Sequence, residues 1–156
     1  MAKTEAGDRR VIARNKRAFF NYTVEESIEC GIELQGTEVK SVKANRLSFS
    51  DAYARIRGQE LWLYGLHIAE YSHGNLNNHD PDRIRKLLAH KSEIKRLRRK
   101  VDERGYTLVP IRVYATHGLV KVEVGLCKGK KTHDKREAIK KRDQKRDEAR
   151  DLRGRY

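Results

Sequence analysis

Apolar residues along this chain recur at two spacings and then almost vanish. Between Tyr22 and Leu34 they alternate from Ile28 onward: Ile28, Cys30, Ile32 and Leu34 on one face, Glu29, Gly31 and Glu33 on the other. A period of two predicts a strand with one buried side, and Gly31 marks a candidate bulge or bend. Alternation returns in Val109, Ile111 and Val113, then in Val120, Val122, Val124 and Leu126, with Lys121 and Glu123 outward and His117-Gly118 as the turn of a hairpin. Pro110 has no amide proton, so an edge or a bulge is expected there. Ala52 to Arg57 and Glu60 to His67 flank Gly58-Gln59 as another hairpin. In its second strand Leu61 and Leu63 alternate with Trp62 and Tyr64, so both faces are apolar. Core packing is the simpler fate of Trp62, and a stacking surface for bases is the alternative.

Helical spacing is shorter-ranged. Glu38 to Ala44 fits one helix, capped by Thr37, with Val39 and Val42 inward. Asp80-Pro81 reads as a helix start, followed by an apolar stripe of Ile84, Leu87 and Leu88. A break near His90 and a second cap at Ser92 with Glu93 lead into Ile94, Leu97 and Val101, ending at Gly105 as C-cap residue. The outer side of that last helix carries Lys95, Arg96, Arg98, Arg99 and Lys100, either a solvated face or one that meets a polyanion. Five or six strands, two or three helices and long β–β connections predict a mostly β chain with inserted helices: an OB-fold-like closed barrel of about six strands. Residues 1–10 are expected to be a flexible N-terminus, and residues 11–128 the barrel. Residues 129–156 hold only Ile139 and Leu152 as sizeable aliphatics, a basic tail expected to be disordered when free, although its residues are good helix formers.

Charge sharpens this picture. The chain has 156 residues and a net charge of +14, which favours a polyanionic partner such as nucleic acid. The charge is patterned: residues 22–79 carry five basic against eight acidic groups, residues 80–105 ten against five, and residues 129–156 twelve against six. Arg14, Lys16 and Arg17 form a basic cluster near the N-terminus that either is a solvated arm or, together with Asn15, touches a phosphate backbone. Cys30 and Cys127 have no metal-like spacing and read as core residues of a reducing compartment. No apolar run approaches the ~20 residues of a membrane span, and a cytoplasmic protein without a membrane partner is expected. The loop histidines His73 and His79 lack a third ligand, so no metal is expected. Nor is any cofactor or catalytic function expected: Gly129-Lys130-Lys131 lacks the spacing of a Walker loop, and no nucleophile motif is visible.

Five short segments, taken in order, resemble the SsrA-binding protein (small protein B) family over nearly the full chain. They are Asn15-Lys16-Arg17-Ala18, Glu29-Cys30-Gly31-Ile32, Gly36-Thr37-Glu38-Val39-Lys40-Ser41, Asp80-Pro81 with Arg83 and Arg85-Lys86-Leu87-Leu88, and Gly129 to Arg136. Ala89 stands where a third leucine is usual, and Cys30 where alanine is common. The resemblance implies an OB-fold protein that binds the tRNA-like domain of transfer-messenger RNA (tmRNA) and delivers it, with elongation factor Tu, to stalled ribosomes in trans-translation. It implies an RNA-binding set of Asn15, Lys16, Arg17, Glu29, Arg85, Lys86, Leu88, Lys130 and Lys131, with Leu88 supporting the surface from beneath. It places His133, Asp134, Lys135 and Arg136 near the decoding centre, on a tail that becomes helical in the empty mRNA channel. A monomer is expected. A general single-strand RNA chaperone of the OB class is the alternative.

Overall fold

The structure, a computed structural model, describes residues 9–71, 78–130 and 132–153. Strand β1 (Arg9–Arg14) runs through Asn15 into helix α1 (Lys16–Asn21), followed by β2 (Tyr22–Ile32), α2 (Gly36–Lys43), β3 (Leu47–Ser48), β4 (Tyr53–Arg57) and β5 (Glu60–Tyr64). Then come β6 (His67–Ile68), β7 (Arg85–Leu88), α3 (Lys91–Arg104), β8 (Thr107–Thr116), β9 (Leu119–Gly129) and α4 (Thr132–Arg153). Antiparallel pairing runs β8-β4-β5-β7-β2-β9 and returns to β8 through the β8–β9 hairpin, so six strands close a ring. Closure removes the exposed edges that an open sheet would leave. Strand β8 is long enough to be shared: Leu108 pairs with Ala54 of β4, while residues 112–116 pair with β1. His117 and Gly118 both have positive φ (49° and 77°), the backbone of a primed hairpin turn, which glycine adopts without a Cβ clash.

The barrel interior is filled by Ile28 and Cys30 of β2, Leu61 and Leu63 of β5, Leu87 of β7, and Val122, Val124 and Leu126 of β9. Ile94 and Leu97 of α3 and Val42 of α2 join the same core. Each fully buried aliphatic side chain stabilises the fold by about 1.5–3 kcal/mol. Burial pushes the Cys30 thiol up to about 12 and Cys127 to about 11, and both cysteines are free.

Pro110 does bring the expected irregularity. Register shifts between Pro110 and Arg112, and the parity of β8 shifts with it. Val113 therefore faces the barrel, whereas Val109 and Ile111, expected on that same face, pack outward with Cys127 and Ala18 beneath α1. The bulge of β2 lies between Val24 and Glu26, not at Gly31. Gly31 instead pairs with Leu88, and a Cβ there would come within 3.2 Å of the Leu88 Cβ.

Further expectations change. Residues 84–88 are not helical: Arg85 and Leu87 point inward and Lys86 and Leu88 outward, a strand period. Strand β7 finds ladder partners on both sides, β2 and β5. Asp80-Pro81 opens a turn, with Arg83 N–H donating to the Asp80 carbonyl and Asp82 N–H to Asp80 Oδ1; proline after aspartate suits a turn as well as a helix start. Helix α3 begins at Lys91 after His90, and it does end at Gly105. Arg9 and Arg10, placed in the flexible N-terminus, are strand residues paired with Thr116 and Ala115. Helix α2 is capped two residues before the predicted Thr37, by Gln35 ahead of Gly36, where the Glu38 carboxylate accepts from the Gln35 N–H.

Candidate nucleic-acid interface

The basic cluster at α1 is built on Asn15. Its Oδ1 accepts from Ala18 N–H at 3.1 Å, the helix N-cap, and its Nδ2 donates to the Pro110 carbonyl at 2.9 Å. Its own backbone N–H reaches the Ile111 carbonyl at 2.8 Å. Asn15 is 6% exposed, and its side-chain oxygen and nitrogen are both taken by backbone groups; it clamps α1 onto the β8 bulge. That clamp leaves Lys16 and Arg17 exposed, with Arg17 loosely paired to Asp51 at 3.5 Å. Lys130 is brought to the same place: its Nζ donates to the Phe19 carbonyl at 2.9 Å and its N–H to the Asn21 carbonyl. The root of the tail is thereby tied to the end of α1. Arg14 and Arg112 lie over the Phe19 ring, at 4.6 and 5.4 Å from its centroid. Arg112, unforeseen as a partner of the cluster, becomes a neighbour of Arg14 through the β1–β8 register.

Glu29 sits on the outer face of β2. Its carboxylate pairs with Arg9 at 3.2 Å, and Arg9 in turn donates to the Tyr114 hydroxyl and lies 4.0 Å over the Tyr114 ring. Burial, reinforced by a hydrogen bond with Glu29, raises the Tyr114 pKa. Glu29 faces Glu123 across the β2–β9 ladder, and Glu123 is held by Arg112 at 2.6 Å and by the Ser27 hydroxyl at 2.9 Å. Each carboxylate thus has its own cation, which offsets the repulsion of a like-charged cross-strand pair. No signal in the residues before β1 pointed to Arg9.

The expected β7 contacts divide. Lys86 is on the outer face, 3.6 Å from Glu60. Leu88 is 47% exposed, so it is itself surface and not a support from beneath. Arg85 is not surface at all. It is fully buried, with Nε donating to Glu38 Oε2 and its remaining donors reaching the carbonyls of Leu66, Arg83, Pro81 and Asp80. Burial alone would raise the Glu38 pKa; hydrogen bonds from Arg83, the Gln35 N–H and Arg85 outweigh it and hold the carboxyl below its ordinary value. Arg85 is a strut between β7 and α2, and it cannot reach RNA.

Trp62, placed in the core by the simpler reading, is half-buried on the outside of β5, because Leu61 and Leu63 take the interior. His79 is 3% exposed, with its ring nitrogens 2.8 Å from the Thr37 hydroxyl and 2.9 Å from the Ile68 carbonyl. Both nitrogens are thereby occupied without a metal. His73 and Lys131 lie outside the described residues. His133, Asp134, Lys135 and Arg136 fall in the first turns of α4, and Arg136 is exposed. Residues 139–149 of α4 are all exposed, so no tertiary packing supports the helix there. That is the physical basis for expecting the segment not to hold its shape alone. Among the described residues no helix is long and apolar enough to cross a membrane.

Comparison with known proteins gives a consistent result. The family model described as SmpB protein matches residues 12–154. An SsrA-binding protein of Treponema denticola is 59% identical over 143 residues, covering 92% of this chain and 93% of that one. An SsrA-binding protein of Geobacter metallireducens is 52% identical over 146 residues, covering 94% and 95%. The fold matches a chain of the solved structure "tmRNA-SmpB: a journey to the center of the bacterial ribosome", with a TM-score of 0.67 and 45% identity, over 81% of this chain and 93% of that one.

Proposed function

Since this chain belongs to the SmpB protein family, matched over residues 12–154, we propose that it is a tmRNA-binding protein of trans-translation. The barrel holds the tRNA-like domain of tmRNA. The tail enters the empty mRNA channel of a stalled ribosome, and elongation factor Tu joins through the aminoacylated RNA. The protein acts as a cytoplasmic monomer and binds without turnover. The family match carries this reading, and one contact makes it mechanical: Lys130 bonded to Phe19 sets the tail root beside Lys16 and Arg17. One end of the body thus grips RNA phosphates while the tail leaves from the same place. His133 to Arg136 lie in the first turns of α4, and in this reading they act near the decoding centre.

Because mRNA and an ordered tail fill the same channel, the tail orders only where mRNA is absent, which makes it a sensor of vacancy. A competition assay tests the reading against a general single-strand chaperone. Labelled tRNA-like domain of tmRNA is challenged with unlabelled unstructured RNA of equal length. The adaptor keeps the folded RNA; a chaperone releases it at equimolar competitor.

A further inference from the structure

The β4–β5–β7 side of the barrel meets the α1 cluster at one corner, where Tyr53 lines a cleft of about 240 Å³ with Asn15 and Arg17, and the rest of it extends away from α1. On its outer face the registers place Arg55 opposite Trp62 and Trp62 opposite Lys86, so an indole lies in one cross-strand row between two cations. The next pair along β4 and β5, Tyr53 and Tyr64, stacks with centroids 5.2 Å apart and planes 6° from parallel, and Tyr53 is 43% exposed. Helix α3 adds charge beside this row. Its Arg96 and Lys100 share the Glu26 carboxylate, and Lys91, Lys95, Arg98 and Arg99 form no ion pair with a described residue. Two clefts join α3 to the row. One of about 600 Å³ holds Arg55 and Arg98, and one of about 350 Å³ holds Lys86, Leu88 and Lys91. This side also carries acids, among them Glu60, paired with Lys86, and Asp102 in the larger cleft.

A half-exposed ring flanked by cations matches a ligand that has both a flat π-face and phosphates. We infer that the outer face of β4, β5 and β7 is a stacking platform for unpaired RNA bases, with Trp62 receiving a base and Arg55, Lys86 and the free cations of α3 meeting the phosphates around it. A duplex does not fit, because its bases are already stacked on one another and closed to the indole. The inference rests on the RNA-binding reading above and extends it: Lys86 and Leu88 belong to this platform, on a different part of the barrel from Lys16, Arg17 and Lys130.

Trp62 is the single tryptophan of the chain, so its fluorescence reports on this face without any substitution. The full-length protein is titrated with a transcript of the tmRNA tRNA-like domain and with a blunt RNA duplex. Binding is scored independently by filter retention. The expected result is quenching of Trp62 that saturates with binding of the transcript, and none with the duplex. Trp62→Ala should weaken transcript binding roughly ten- to a hundredfold, and Trp62→Phe, which keeps a ring, should stay within about threefold of the parent. Thermal melts of both variants check the fold. Retention of the transcript without quenching, or equal quenching by the duplex, overturns the platform while leaving the proposed function intact. Failure to retain the transcript at all overturns both.

Discussion

Glu38 and Arg85 meet as a fully buried ion pair, Oε2 to Nε at 2.5 Å, between a helix and a strand 47 positions apart in sequence. Two charges out of water are tolerable only when every donor is matched, and here the guanidinium is matched by one carboxylate and four carbonyls.

Removing one partner should therefore be severe. Arg85→Met leaves the Glu38 carboxylate with only Arg83 and the Gln35 N–H, and should cost about 3–5 kcal/mol in urea unfolding. The folded fraction should keep its RNA affinity, since Arg85 is buried. A loss below about 1 kcal/mol would show that the pair is not the strut described.

Acid should destabilise the fold through the same carboxyl and through Glu26. Hydrogen bonding from Lys100, with Arg96 nearby, holds the Glu26 pKa low against the opposing effect of burial. A carboxyl lowered in the folded state contributes stability that is complete above its unfolded value, near 4.3, and that is lost as pH falls through the folded value. Unfolding free energies measured between about pH 6 and 3 should drop toward acid. Glu26→Gln should make that slope shallower, and an unchanged slope would rule out its share.

Asn15→Ala should lower stability by about 1–2 kcal/mol through loss of the α1 cap. It should weaken RNA binding indirectly, by loosening the helix that presents Lys16 and Arg17. The double variant Lys16→Ala, Arg17→Ala should do the opposite: an unchanged melting temperature, weaker binding, and a log–log salt slope shallower by roughly 0.7–0.9 per lost phosphate contact. Equal melting temperatures for both variants would contradict the clamp.

Leu88→Ala should leave stability within about 0.5 kcal/mol, as for other exposed positions, yet reduce RNA retention. Gly31→Ala, whose Cβ would press on Leu88 at 3.2 Å, should reduce retention as well if Leu88 must lie where it does. A destabilised but fully binding Leu88→Ala would place the side chain beneath the surface after all.

Truncation after Lys131 keeps the Lys130–Phe19 contact, and RNA affinity should stay within about tenfold, or 1.4 kcal/mol. Peptide tagging on stalled ribosomes should be abolished. Loss of both functions together would refute the separation of body and tail.

Much of this was readable from residue spacing. Alternation in β2 and β9 located a third of the barrel wall, and Gly58-Gln59 and His117-Gly118 located two turns. The errors came where two signals share one set of residues. Asp-Pro opens turns and helices alike, and Ile84, Leu87 and Leu88 span too little to separate a period of two from 3.6. The inward pointing of Arg85 depends on Glu38 and four carbonyls drawn from distant segments, which no local pattern reports. The outward turn of Val109 and Ile111 follows from one bulge, and the sequence marks its place but not its effect on parity. Lys16 and Arg17 could be marked from the sequence as candidate RNA contacts; that Asn15 holds their helix in place, and that Arg9 and Arg112 stand beside Glu29 and Glu123, required the register.

The sharing of β8 between β4 and β1 has a bearing on biosynthesis. Strand β1 precedes the other elements, yet among the described residues its ladder partner lies at residues 112–116, and the Lys130 contact to α1 comes later still. At ordinary translation speeds that interval lasts on the order of ten seconds. Throughout it the cationic N-terminal segment has no surface to dock on, so a nascent chain cut short before the β8–β9 hairpin holds the residues of the α1 grip without the grip. A rescue factor whose own synthesis stalls midway would thus release a fragment unable to sequester the RNA needed to clear it.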